Sequence, residues 1–262
     1  MRGIGGRARA VVLMYHRIAD APRDPGEGDY VVSPERFRAQ MDWLARSRRP
    51  VVGAERLAAP GLPDGAVALT FDDGCDSDLL VTLPLLRRLG LPATFFVTPG
   101  RLGAPGYLTP EQLRALAEGG GAVGSHGLDH QLFERLTDDE LQRQLVESRR
   151  RLEDLLGARV EALSLPGGSG GARALAAARA AGYRLVFGSR PGVVRAGDAA
   201  AALPRFAMRG HHGLPAFRAM VEQQKRARLR HGARYAAARA LRAALGGLGY
   251  ERLRASWVAR RA

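Results

Sequence analysis

Ala66-Val67-Ala68-Leu69-Thr70-Phe71-Asp72-Asp73-Gly74 is an apolar run that stops at two adjacent carboxylates and a glycine. A run rich in Val, Thr and Phe and followed by Gly reads as a buried strand. Such a strand carries Asp72 and Asp73 to the rim of a core. Neighbouring strand residues point to opposite faces, so both can serve one site only if the chain bends there, and Gly74 can provide the bend. One carboxylate can then hold a cation while the other handles a proton. Asp-Asp-Gly is also a common turn, so its meaning depends on what else reaches the same rim.

Outward from this strand, strands and helices alternate. Residues 10–15 read as a first strand. Ser33-Pro34-Glu35 opens a helix, with Ser33 as cap and Phe37, Met41 and Leu44 on one face. Val51-Val52 is a short strand. Residues 78–89 read as a helix stopped by Gly90, and residues 93–97 as a strand. Thr109-Pro110-Glu111 starts the next helix, and residues 122–124 form a strand that leads into Ser125-His126. The capping box Thr137-Asp138-Asp139-Glu140 begins a long helix ending near Leu156. A strand over 160–165 ends at Pro166-Gly167-Gly168. A helix over 172–181, strands over 183–187 and 203–208, and a helix from Phe217 onward complete the chain. Repeated alternation of this kind specifies a parallel α/β fold, whose sites lie at the C-terminal ends of the strands. Asp72-Asp73, His126 and Pro166-Gly167 each follow directly on a strand and so converge on one rim.

The 262 residues, 46% of them hydrophobic, suffice for one large α/β barrel or two small domains. No stretch of about 18 apolar residues occurs, so a membrane span is not expected. The apolar stretch over 10–15 is too short for a signal-peptide core, which makes a cytoplasmic location the expectation. The single cysteine, Cys75, excludes an internal disulfide framework. The formal net charge is +14 and the pI about 11.2, carried almost wholly by arginine, with Lys225 the only lysine. Residues 218–262 hold twelve basic residues against two acidic ones. The expected division is therefore a barrel over 1–217 and a basic helical tail over 218–262.

Ser125-His126-Gly127-Leu128-Asp129-His130 sets two imidazoles four residues apart. On one helical turn those positions share a face, and both rings reach one cation. Imidazole suits zinc and its neighbours, and one carboxylate completes a three-ligand site with an open position for water, the catalytic rather than the structural pattern. A histidine pair at this spacing is by itself a frequent surface accident; the Asp-Asp on a neighbouring strand end is what makes it a candidate.

Thr70-Phe71-Asp72-Asp73-Gly74, followed about fifty residues later by Ser125-His126 and His130, resembles the polysaccharide deacetylase family, the NodB-homology group or carbohydrate esterase family 4. Met14-Tyr15-His16-Arg17 and Ala93-Thr94-Phe95-Phe96-Val97 fit the same family. The resemblance implies a distorted (β/α) barrel with seven strands and hydrolysis of N-acetyl, sometimes O-acetyl, groups on sugars. It also implies Asp72 as general base and Asp73 as metal ligand with His126 and His130. The chemistry agrees independently: an acetamide carbonyl is a poor electrophile, a divalent metal polarises it and acidifies water, and a nearby carboxylate takes the proton. The backbone N–H groups of Gly74 or Cys75 are candidates to face the developing oxyanion.

Three family motifs depart from the pattern. The third usually places an arginine two residues before the proline; here that position is Ser164, with Pro166 and Gly167 keeping the loop. Arg205, near a strand end, is a candidate replacement, with a surface salt bridge as the alternative. The fourth motif is not evident in residues 182–187. In place of the fifth, which carries the general acid, stands Phe206-Ala207-Met208-Arg209-Gly210-His211-His212; His211 and His212 are both candidates, His212 preferred, with two surface residues as the alternative. His16 lines the pocket or is a structural histidine. Cys75 reads as a plain loop residue rather than a soft ligand, and Trp43 and Trp257 as packing residues. An O-acetyl esterase and an inactive glycan binder are the competing functions; intact Asp72, Asp73, His126 and His130 argue against the latter.

In the tail, Ala237, Ala238, Leu241, Ala244, Leu245 and Leu248 form one stripe, away from Arg234, Arg239 and Arg242. This amphipathic basic helix either packs on the barrel or attaches to an anionic membrane surface. Nucleic acid ranks last as a partner, because no reading module accompanies the charge.

Overall fold

The structure, a computed structural model, describes residues 8–23, 27–168, 170–198, 201–224, 226, 229–238, 240, 241 and 244. In chain order the elements are β1 (Arg9–Tyr15), α1 (Pro34–Arg46), β2 (Ala66–Asp73), α2 (Leu83–Leu89), β3 (Ala93–Val97), α3 (Pro110–Glu118), β4 (Ala122–Ser125), α4 (Asp138–Leu156), β5 (Ala162–Ser164), α5 (Gly171–Ala180), β6 (Leu185–Phe187), β7 (Val194–Arg195), β8 (Phe206–Ala207) and α6 (Leu214–Val221). Strands β1 to β6 pair in sequence order, every neighbour parallel. On the other side of β1, Leu13 and Met14 pair in parallel with Phe206 and Ala207 of β8. Leu203, just before β8, bridges in parallel to Phe187 of β6. Residues 203–207 therefore bond to both open edges and close the sheet into the expected distorted barrel of seven parallel strands. β7 is an addition the sequence pattern did not reveal: two residues antiparallel to the start of β1.

The period of two along each strand divides the core into two layers. Ala10, Val12, Ala66, Ala68, Phe96, Leu185, Phe187 and Leu203 form one buried cluster, the barrel interior. Val11, Leu13, Tyr15, Val67, Leu69, Phe71, Phe95, Leu163, Val186 and Phe206 belong to the other, with Phe37, Met41, Leu113 and Leu145 of the surrounding helices. In the interior the small Ala10, Ala66 and Ala68 of β1 and β2 share the cluster with Phe96, Leu185 and Phe187 of β3 and β6. The same alternation turns His16, Thr70, Asp72, Ser164 and Arg205 inward.

Most helix boundaries follow their local signals. Ser33 accepts from the Arg36 N–H, Thr109 and Thr137 complete capping boxes with Gln112 and Glu140, and Gly90 ends α2 in the left-handed region (φ 65°). The helix expected over 78–89 is divided. Its first part, Asp78–Thr82, is a wide π turn, and α2 begins only at Leu83. Pro84 has no N–H for a regular bond one turn back, so the preceding turn widens instead. Val51 makes one bridge, to Val67, rather than a strand.

The boundary expected after residue 217 falls inside α6, which buries Phe217, Met220 and Val221; Trp43 of α1 meets Phe217 edge-on at 5.7 Å. Residues 229–238 are helical; of the expected stripe, Ala237, Leu241 and Ala244 are exposed and Ala238 is half-buried. Among the described residues, His231 meets Phe206 edge-on at 5.5 Å, and Arg234 Nη1 donates to His211 Nε2 at 3.0 Å. Leu245, Leu248, Arg239, Arg242 and Trp257 lie outside the described residues.

Candidate metal centre and active site

The two aspartates at the end of β2 reach one site because the chain turns at the second of them. Asp73 itself adopts φ 84°, and Gly74 follows at φ 73°. The bend thus starts one residue earlier than Gly74, and Asp73 carries backbone strain that a non-glycine residue rarely holds outside a functional site. A side chain at Gly74 would also collide with Val97, a Cβ there lying 2.9 Å from its Cγ1.

His126 and His130 do not share a helical turn. They flank a loop in which Gly127 (φ 75°) and His130 (φ 67°) are left-handed. Gln144 of α4 holds this loop, its Oε1 accepting from the Leu128 and Asp129 N–H groups at 2.9 and 3.3 Å and its Nε2 donating to Asp129 Oδ1 at 2.6 Å. The Gly100 N–H donates to the Leu128 carbonyl at 2.7 Å. The rings end 4.9 Å apart between centroids. His126 Nδ1 donates to the Ser164 carbonyl at 2.8 Å, which fixes the tautomer and leaves the Nε2 lone pair free.

Three ligand atoms meet there. His126 Nε2 and His130 Nε2 stand 3.5 and 3.3 Å from Asp73 Oδ1, and one atom from each residue lies within 4.8 Å of the others. Asp73 Oδ1 is buried and accepts no hydrogen bond. A buried carboxylate oxygen without a donor is costly, and a cation between the two imidazoles would satisfy it. Burial alone would raise the Asp73 carboxyl; His130, His16, His126 and Arg101 together hold it below its ordinary value. Burial lowers the His130 imidazole to about 4, keeping it neutral, the form that ligates metal.

Asp72 has the opposite surroundings. Arg205, fully buried, donates from Nη1 to Oδ1 and from Nη2 to Oδ2, both at 2.8 Å. Its Nη2 also reaches Ser164 Oγ at 2.7 Å, Ser164 Oγ donates to Asp72 Oδ2 at 3.0 Å, and Arg205 Nε donates to the Gly188 carbonyl at 2.9 Å. Arg205 is thus no surface salt-bridge residue: it pairs with Asp72 and Ser164 from a different strand. Burial opposes ionisation of Asp72, but the Arg205 and His126 charges overcome it and hold the carboxyl well below the usual range. Oδ1 carries one hydrogen bond and keeps a lone pair for a proton.

His16, inward at the end of β1, joins this group. Its Nδ1 is buried without a partner, and its ring lies 4.4 Å from that of Tyr30. Burial holds its imidazole below the ordinary value against the pull of Asp73 and Asp72. His212, the acid preferred from sequence, is not brought to this group. It is 5% exposed; its ring packs against His211 and His231 at 4.5 and 5.3 Å, and its Nδ1 accepts from the Arg209 N–H at 3.2 Å. The reason is the strand period: Arg205 and Ala207 point inward, and the chain past Met208 turns away under α6. Cys75 is buried, pairs with Tyr107 and lies outside the metal group; burial pushes its thiol up, away from the thiolate that binds metals. Pro166 and Gly167 form a tight turn after β5, with Gly167 left-handed at φ 65°. A Cβ on Gly127 would lie 3.2 Å from Pro166 Cγ, so this turn packs on the histidine loop.

The family model for polysaccharide deacetylase matches residues 60–186. YxkH of Bacillus subtilis (strain 168), provisionally named a polysaccharide deacetylase, is 27% identical over 223 residues, covering 83% of this chain and 78% of YxkH. The peptidoglycan-N-acetylglucosamine deacetylase PgdA of Listeria monocytogenes serotype 1/2a (strain 10403S) is 32% identical over 129 residues, 47% of this chain but only 27% of PgdA. Among solved structures, the Streptococcus pyogenes deacetylase PplD in complex with acetate shares the fold with a TM-score of 0.73 at 23% identity, covering 80% of this chain and 96% of PplD. Barrel, paired aspartates and histidine loop, with the family match over residues 60–186, make this chain similar to the polysaccharide deacetylases.

Proposed function

We propose that this chain removes N-acetyl groups from a sugar of a glycan or glycan precursor, using one divalent ion, zinc, held by Asp73, His126 and His130. The observation that carries this reading is Asp73 Oδ1, buried and without a donor between two imidazole Nε2 atoms. Three such donors suit zinc and leave a position open. When bound, the ion polarises the acetamide carbonyl and lowers the pKa of water towards about 7. Asp72 takes the proton of the attacking water on Oδ1, while Arg205 and Ser164 hold its other lone pairs and fix its plane. Water oxygen bonds to the carbonyl carbon, the carbon–nitrogen bond breaks, and the departing nitrogen must receive a proton. His16 replaces His212 as the donor for that step: its Nδ1 is buried without a partner at the same rim, and against the burial that lowers its pKa the neighbouring Asp73 and Asp72 charges favour its imidazolium. Gly74 and Cys75 amides are the candidates to face the oxyanion, and Pro166 and Gly167 to wall the sugar side.

An N-acetylglucosamine unit is the substrate proposed, by analogy with the Listeria relative's named activity. Acetate release decides it. The metal-loaded protein should liberate acetate from N-acetylglucosamine oligomers, stop on chelation and recover on adding zinc. Release from O-acetylated glycans alone would replace this reading with an esterase.

A further inference from the structure

One cation beside the proposed ligands has no part in that mechanism. Arg101 ends the short turn Pro99–Arg101 after β3 and holds Nη1 3.6 Å from Asp73 Oδ1, beyond hydrogen-bond range. Its hydrogen bond runs from Nη1 to Tyr107 Oη at 3.1 Å, and its guanidinium lies 5.2 Å from that ring's centroid. Tyr107 is itself fixed: its backbone pairs with Cys75, and Arg23 covers its ring at 4.6 Å and donates to the same Oη at 3.2 Å. The phenol is therefore a clamp between two guanidiniums, and it sets where Arg101 stands. The Arg101 side chain is 30% exposed, and among the described residues its Nε and Nη2 have no acceptor.

The charges do not balance around it. Asp72 is neutralised by Arg205. Glu27 and Asp76 pair with Arg17 at 3.0 and 2.7 Å. Asp73 is given over to the divalent ion in the deacetylase reading, on which this inference rests. Arg101 then remains as a positioned cation beside a dication, with no carboxylate of its own. A desolvated surplus of positive charge at the edge of a site favours a negatively charged ligand, and the free edge of a guanidinium matches two oxygens of a carboxylate or phosphoester.

We propose that Arg101 is a specificity-determining residue that receives an anionic substituent, a carboxylate or a phosphoester, on the N-acetylated sugar. The substrate class narrows from neutral N-acetylhexosamines to those carrying negative charge close to the acetamide. Tyr107 and Arg23 act through Arg101 as positioning residues.

Three N-acetylhexosamine substrates test this: a neutral oligomer, one bearing an ether-linked carboxylate, and one bearing a phosphoester. Wild-type kcat/KM should favour an anionic substrate by about tenfold or more, the size of one charge-assisted contact, and the arm preferred tells which oxyanion is recognised. R101Q should bring the ratio near one, mainly through KM, and R101K should keep part of it. High salt should reduce the preference in the wild type and not in R101Q. A readout without turnover is calorimetric titration of the zinc-loaded full-length protein with the anionic amine product, expected about tenfold weaker in R101Q. R101Q should bind zinc as tightly as wild type or tighter, because a like charge has been removed; weaker zinc binding would mark Arg101 as structural. Equal wild-type rates on neutral and anionic substrates, or a preference that survives R101Q, overturns the proposal and leaves the deacetylase reading standing. Anionic product that binds wild type and not R101Q, with acetate released from no substrate, keeps the anion subsite and sinks the deacetylase reading.

Discussion

The molecule has two histidine groups, and they are opposites. Around Asp73, His126 donates from Nδ1 to a backbone carbonyl, so its Nε2 lone pair points at an unsatisfied carboxylate. In the second group, His211, His212 and His231 pack ring against ring among Arg209 and Arg234. There His212 Nδ1 accepts from a backbone N–H, so its Nε2 carries the proton and offers no lone pair. The first group has a carboxylate at its centre; the second has guanidiniums at its edge. The number of imidazoles therefore says little about metal binding. What decides it is the backbone partner of the other ring nitrogen and the sign of the nearest charge.

The contrast breaks most severely at the ligands. His126→Ala should abolish the bound ion and lower turnover by at least about a thousandfold, whereas His212→Ala should leave metal content at wild-type level. Metal analysis of both purified variants checks this, and loss of metal from the His212 variant would erase the distinction. Next comes the carboxylate pair. Arg205→Met leaves Asp72 buried with no counter-charge and should cost about 3–5 kcal/mol in denaturant unfolding, while adding Asp72→Asn should recover much of that loss. A single variant as stable as wild type would mean that Asp72 does not depend on the pair.

A smaller effect separates the two candidate acids. His16→Gln should reduce kcat by about a hundredfold or more with metal retained, and His212→Gln should leave kcat within about threefold. The reverse order would restore His212 to the mechanism. The smallest effect is on stability. Burial, with neighbouring histidine and arginine charges, lowers His212 to about 3 and His231 to about 4. In the unfolded chain both take up protons near about pH 6.5, so between that pH and about 4 the unfolded state binds more protons. Stability should be flat above about pH 6.5 and fall as the pH drops towards 4, a fall that His212→Gln reduces. A melting temperature independent of pH over that window would show that the second group does not hold its imidazoles neutral.

Much of this was legible in the chain because it is local. The apolar run ending in Asp72-Asp73-Gly74 announces a strand end, and Ser33, Thr109 and Thr137 announce helix starts by short side-chain-to-backbone bonds. The spacing of His126 and His130 picks out two residues that meet, but for a wrong reason. They meet through a left-handed loop tied to Gln144, not through a helical turn, and nothing within the six residues encodes that tie. Arg205 was a candidate only, because its partner Asp72 is 133 residues away and the pairing exists only once the barrel closes. His16 and His212 each follow a strand; which one faces inward depends on strand phase at the closing seam, which residues 203–207 set by pairing with β1 and β6 at once.

That seam has a consequence for how the protein is made. Residues 203–207 emerge from the ribosome after both strands they must join, β1 and β6. Until then β1 and β6 are open edges, and Asp72 has no cation to meet it in the barrel interior. A buried, unpaired carboxylate is strongly disfavoured, so a nascent chain lacking this segment keeps Asp72 wet or protonated. Pairing across so long a stretch of chain is also slow compared with formation of the local helices. The last strand to arrive therefore couples barrel closure to ionisation of the proposed base, and an unfinished chain has neither.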